Sequence, residues 1–169
     1  MSKLAVISDI HDNIPNLNKA LALIKKEKID YLICTGDVQS LEAWLLLDEL
    51  KIPSWAVFGN VDHDILGFEN LQKQLKNIKL FANVGTAEIE NKKIIFTHYP
   101  TTLKKIFAKS KIKYDLALHG HTHQPWEQIW EKTKILNSGN VANIRCAPTF
   151  AIIEMSTLKA RLILLNEIK

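Results

Sequence analysis

Only two of the 169 residues are cysteine, six are glycine and five are proline. Two thiols cannot build a disulfide framework. Cys34, inside the apolar run Tyr31–Thr35, reads as a buried, unreactive thiol, and Cys146 carries no signal. So little glycine and proline excludes a collagen-like or low-complexity chain. A content of 47% hydrophobic and 24% charged residues excludes a disordered one. No apolar stretch approaches the roughly 18 residues of a membrane span, and the few residues between Met1 and Asp9 are too short for a signal peptide's apolar core. The expectation is a cytoplasmic protein with no membrane partner. The net charge of +4 comes from scattered lysines rather than a massed patch, so no dedicated nucleic-acid binding is inferred. Heptads and internal repeats are absent as well. The length predicts a single domain spanning 1–169 around one core.

What the chain does have is five short polar motifs, each following an apolar run. They are Asp9-Ile10-His11, Gly36-Asp37, Gly59-Asn60-Val61-Asp62, Thr97-His98 and Gly120-His121-Thr122-His123. The runs ahead of them (Leu4–Ser8, Tyr31–Thr35, Trp55–Phe58, Ile94–Thr97 and Leu116–Leu118) are short and aliphatic, as buried strands are. The motifs therefore sit at strand exits, where the loops of an open α/β sheet converge on a crevice.

Between the strands, Asn13-Ile14-Pro15 predicts a helix entry and Ser40 a second cap. A third helix is predicted over Asp64–Lys76 and a short one over Thr101–Ser110. Thr86–Thr97 reads as a hairpin around Glu90-Asn91-Lys92. From Tyr114 onward the pattern predicts an antiparallel tail of strands, with Trp126 and Trp130 on one face as core or interface residues. The fold class that accommodates both halves is α/β (α+β), a four-layer αββα sandwich of two facing mixed sheets flanked by helices.

Asp9, His11, Asp37, Asn60, His98, His121 and His123 supply carboxylate, amide oxygen and imidazole. That donor set suits first-row divalent ions, and the lack of cysteine ligands argues against structural zinc or an iron–sulfur cluster. Residues two apart on an extended segment face one side, so the Asp9/His11 and His121/His123 pairs can reach one cluster. Two cations held ~3.5–4 Å apart lower the pKa of a shared water and clamp phosphoryl oxygens during in-line displacement. A carboxylate shared between them would offset their repulsion. Asp62 is expected either to anchor its loop or to orient a ligand histidine.

The ordered motifs D-x-H, G-D, G-N-x-D, H and G-H-x-H resemble the calcineurin-like metallophosphoesterases over nearly the whole chain, and more narrowly the compact YfcE-type phosphodiesterases. The resemblance implies the metallophosphoesterase fold. It implies Asp9, His11 and His123 on a first metal, Asp37 bridging, and Asn60, His98 and His121 on a second. Asp37, Asn60 and His98 would be the residues of metal-assisted catalysis. Two divalent ions per chain are implied, Mn²⁺ first, with Ni²⁺, Zn²⁺, Fe²⁺ and Co²⁺ open, and a small phosphate ester as substrate; a homo-oligomer is a further expectation. The chain departs from the pattern at Val61, where related phosphatases carry a proton-donating histidine, which leaves His63 as the candidate general acid. It departs again at Tyr99-Pro100, where relatives commonly have Gly-His, and this bears on substrate shape. Alternatives are a phosphomonoesterase, a metallo-amidase, and a non-catalytic scaffold like the retromer subunit of this fold. His119 is expected to be structural, and Lys104, Lys105, Lys109, Lys111 and Lys113 to form a solvated face.

Overall fold

The computed structural model describes residues 1–62, 67–109 and 112–168. Among the described residues eleven strands form two mixed sheets. The first sheet contains β1 (Lys3–Ile7), β2 (Tyr31–Cys34), β3 (Ser54–Val57), β4 (Ile78–Phe81), β10 (Thr149–Glu154) and β11 (Ala160–Leu164), in the order β11-β10-β1-β2-β3-β4. The second contains β5 (Val84–Ile89), β6 (Lys92–Thr97), β7 (Leu116–His119), β8 (Trp126–Trp130) and β9 (Thr133–Asn137), in the order β5-β6-β7-β9-β8. Helices α1 (Ile14–Lys26), α2 (Leu41–Asp48) and α3 (Phe68–Gln74) pack on the first sheet, and α4 (Pro100–Lys109) packs on the second.

Strand periodicity produces these layers. On β1, Leu4 and Val6 face the second sheet and meet Phe96, Leu116 and Leu118, whereas Ala5 and Ile7 face α1 and α2. Both faces of β1 are dry, which is why its run is continuously apolar rather than alternating. The outer face of the second sheet buries Ile95, Ala117 and Ile135 under Leu103 of α4. The four-layer αββα sandwich is the expected architecture.

Helix entries follow local chemistry. The Asn13 side chain accepts from the Asn16 N–H with Pro15 in the first turn, and Ser40 Oγ accepts from the Ala43 N–H. The Glu90-Asn91 turn has φ of 48° and 62°, the doubly left-handed geometry that matches hairpin twist.

Three expectations are corrected. The third helix, expected over Asp64–Lys76, runs over Phe68–Gln74 with Gly67, at φ 72°, before it, while residues 64–66 of that range lie outside the described residues; the chain then enters strand β4, which the sequence pattern does not predict. The chain after Tyr114 is not one antiparallel tail. β7 pairs in parallel with β6 and β9, and β10 returns to lie antiparallel to β1, whose other edge would otherwise be bare. Trp126 and Trp130 are not core: all five residues of β8, the edge strand paired only with β9, are exposed, and Trp130 stacks on Phe107 at 4.9 Å. Lys104, Lys105, Lys109 and Lys113 are exposed, while Lys111 lies outside the described residues. Among the described residues no helix is long and apolar enough to cross a membrane.

Candidate metal centre

Parallel strands β1, β2 and β3 of one sheet and β6 and β7 of the other all leave at one end of the sandwich. The five polar motifs meet there. Asp9, His11, Asp37 and His123 offer ligand atoms within 4.8 Å of one another, and so do Asp37, His98 and His121. Asp37 belongs to both groups. The Asn60 side-chain oxygen joins the second, 3.1 Å from both His98 Nε2 and His121 Nδ1. His63 lies outside the described residues, and Val61 contributes its backbone N–H, which donates to Asp37 Oδ1 at 3.1 Å.

The motif pairs do not converge by being extended, as expected, but by turning. Asp9, His11, Asp37, His121 and His123 all have φ between 44° and 68°. Aspartate and histidine tolerate this left-handed region better than most residues, and such strain persists where the surroundings enforce it, commonly at functional sites. Hydrogen bonds do the enforcing. The Asp9 and Ile10 N–H groups donate to Gly36 and Asp37 carbonyls, and the His121 N–H donates to both Asp9 carboxylate oxygens. Gly59 and Gly120 admit this closeness. A Cβ on Gly59 would collide with the Asp37 carboxylate, and one on Gly120 with Ser8 Oγ and the Asp9 carboxylate.

Asp62, 1% exposed, accepts from the backbone N–H groups of Asp37, Val38, Gln39 and Gly59 at 2.7–2.9 Å. It is thus the loop anchor of the two roles expected, and among the described residues none of its hydrogen bonds reaches a candidate ligand histidine. Burial pushes its carboxyl up while the Gly59 and Gln39 N–H groups pull it down.

Hydrogen bonds at the outer ring nitrogens fix what the inner ones present. His98 Nδ1 lies 2.8 Å from the Thr35 carbonyl and must carry the proton there, so Nε2 turns a lone pair toward Asp37 Oδ2, 3.4 Å away, and toward Asn60 Oδ1 and His121 Nδ1. His123 repeats the arrangement, with Nδ1 against the Ile144 carbonyl and Nε2 3.3 Å from both Asp9 Oδ1 and His11 Nε2. Lone pairs thus face lone pairs in both groups. Only protons or cations reconcile them, and the donor set fits divalent cations.

Titration reflects the same crowding. Burial raises the Asp37 carboxyl, but hydrogen bonding and charge from His98, the Val61 N–H and His11 overcome it, holding the group below the usual carboxylate range. His98 is held above its ordinary value, burial being outweighed by Asp37. His123 is raised chiefly by its hydrogen bond to Asp9. Burial and then neighbouring His98 push His121 down, and burial pushes His119 down. His119 Nδ1 sits 3.2 Å from its neighbour's carbonyl and 3.4 Å from Asn137 Nδ2, the structural role expected of it. The Cys34 thiol is pushed up by burial and is inert.

Sequence reading missed Asn140. Fully buried after β9, it donates to the His123 and Cys146 carbonyls and accepts from the Ile144 N–H, fixing the carbonyl that orients His123. The signal was there, because Asn137-Ser138-Gly139-Asn140 is one more polar run at a strand exit.

The model of the calcineurin-like phosphoesterase superfamily domain matches residues 2–158. The phosphodiesterase MJ0936 of Methanocaldococcus jannaschii is 26% identical over 166 residues, covering 97% of this chain and 99% of its own. A solved archaeal phosphodiesterase superimposes with a TM-score of 0.85 at 25% identity, over 96% of this chain and 99% of that one. The E. coli phosphoesterase YfcE shares the fold with a TM-score of 0.68 at 20% identity, over 97% and 100%. The family match spans nearly every strand, both sheets and all five motifs, and the chain accordingly belongs to the calcineurin-like phosphoesterase superfamily.

Proposed function

We propose that the protein is a metal-dependent phosphodiesterase acting on a small phosphate ester. The observation that carries this reading is one buried carboxylate, Asp37, shared by two ligand groups whose inner imidazole nitrogens carry lone pairs. Asp9, His11 and His123 would hold one cation, Asn60, His98 and His121 the other, and Asp37 both. Two bound divalent ions, Mn²⁺ foremost, would supply positive charge that draws in the phosphate, activates water near neutral pH and offsets the charge developing at phosphorus.

The chain's own residues do the rest. His98 beside Asp37 holds its carboxyl below the usual carboxylate range, so its charge would be available to both cations. Thr35 and Ile144 carbonyls lock two imidazoles with the inner nitrogen unprotonated. Asp62 holds residues 37–39 and Gly59 in register, so the ligands need no reorganisation on binding. Asn60 adds an oxygen without adding charge. Val61 places no titratable group beside it, which favours diesters with good leaving groups over those that need protonation.

Activity toward bis(4-nitrophenyl) phosphate and 4-nitrophenyl phosphate, measured with a panel of divalent ions and with chelator, tests the reading. Diester hydrolysis restored by Mn²⁺ and abolished by chelator is expected. Metal binding without turnover of either ester would identify a scaffold instead, and a preference for the monoester would overturn the diester assignment.

A further inference from the structure

A phosphodiester at neutral pH brings only acceptors to a protein. The side-chain atoms turned into this centre are acceptors too. Asp9 and Asp37 are carboxylates, Asn60 turns its oxygen inward, and the protonated nitrogens of His98 and His123 are spent on backbone carbonyls. Among the described residues the cluster carboxylates form ion pairs only with histidines His11, His98 and His123, and with no lysine or arginine.

Tyr99 stands apart. It follows His98 at the exit of β6, and its carbonyl is pinned by Thr97 Oγ1 at 2.9 Å and by the Thr102 N–H at 3.1 Å. Its ring packs edge-on against His98 at 4.9 Å and His121 at 4.6 Å, so two candidate ligands fix its direction. The hydroxyl ends 3.4 Å from Asn60 Oδ1, and the residue is 37% exposed. A contact that long is at the weak limit of a hydrogen bond, so the phenolic proton is barely committed and faces solvent at the mouth of the centre.

We propose that the Tyr99 hydroxyl is a substrate-binding donor that hydrogen-bonds a phosphoryl oxygen on the Asn60–His98–His121 side of the centre. This rests on the phosphodiesterase reading for its substrate. The contact is that of a hydroxyl donor on an anionic oxygen. A neutral donor suits the single charge of a diester and adds nothing extra for the second charge of a monoester, which makes Tyr99 a specificity residue as well.

The test compares wild type with Tyr99→Phe in three measurements: Mn²⁺ affinity by calorimetry, inorganic phosphate affinity of the Mn²⁺-loaded protein, and kcat/KM for bis(4-nitrophenyl) phosphate. The ring contacts survive in phenylalanine and only the donor is lost. Mn²⁺ affinity is expected to be unchanged, while phosphate affinity and kcat/KM fall by roughly 10- to 100-fold, the range for a hydrogen bond to a charged group. Unchanged phosphate affinity and kcat/KM would overturn the proposal. So would losses matched by an equal fall in Mn²⁺ affinity, which would make Tyr99 merely a positioner of Asn60 and His121. If wild type cleaves no diester yet binds phosphate in a Tyr99-dependent way, the phosphodiesterase reading fails and the Tyr99 contact stands.

Discussion

Replacing Asp62 by alanine removes the one acceptor serving four backbone N–H groups, those of Asp37, Val38, Gln39 and Gly59. A buried donor left unpaired costs about 1–3 kcal/mol. Water entering the vacated space would satisfy some of the four, so a net loss of about 3–5 kcal/mol is expected. That is a large part of the 5–15 kcal/mol that holds a typical domain together. At ~2–4 °C per kcal/mol for a chain of this size, the melting point should drop by roughly 10 °C. Asn is not a rescue: its amide keeps one oxygen, but its NH₂ would confront the N–H groups the other oxygen served, either the Asp37 and Gly59 pair or the Val38 and Gln39 pair. Urea unfolding of the metal-free protein measures this, with the midpoint expected to move and the slope to stay. A loss below about 1 kcal/mol for Asp62→Ala, or an unaffected Asp62→Asn, would refute the anchoring role.

Gly120→Ala drives a Cβ into Ser8 Oγ and the Asp9 carboxylate, so it should weaken metal binding through Asp9 and destabilise by about 2–4 kcal/mol, read by calorimetry and urea unfolding. Asp37→Asn keeps the volume and removes the shared charge; kcat should fall by roughly 10²- to 10³-fold or more with far-ultraviolet dichroism unchanged. NMR titration of the metal-free protein should find His98 and His123 above, and His119 and His121 below, the free histidine value of ~6.5. Stability contributed by the first two is fully present below that value and is lost as pH rises through their raised folded values; that of Asp37, held low, is present above ~3.9 and lost as pH falls. All four imidazoles titrating together would contradict the hydrogen-bond assignments.

The candidate ligand positions were legible because each polar motif interrupts an apolar run, and the end of a strand is where a buried run must turn outward. How the ligands converge was not legible. Asp9 and His11 meet through left-handed turns locked by Gly36 and Asp37 carbonyls, contacts between segments some 27 residues apart that no local pattern encodes. β10 returning to β1 is hidden for the same reason, since Leu4 pairs with Ile153. Strand β4 was lost because Ile78–Phe81 is four residues long and follows a helical pattern directly. The core alternative for Trp126 and Trp130 fails because aromatic bulk signals burial, yet β8 is an edge strand and leaves them half exposed. Tyr99 showed in sequence only as a departure from a pattern; its contacts with His121 and Asn60 make it part of the site.

The central claim is that one carboxylate serves two cations, and metal stoichiometry tests it most directly. Metal-free protein dialysed to equilibrium against Mn²⁺ and analysed by elemental emission should retain two ions per chain, with Asp37→Asn retaining fewer at the same free concentration. One ion or none in wild type, or two retained with unchanged affinity in Asp37→Asn, would contradict the shared centre.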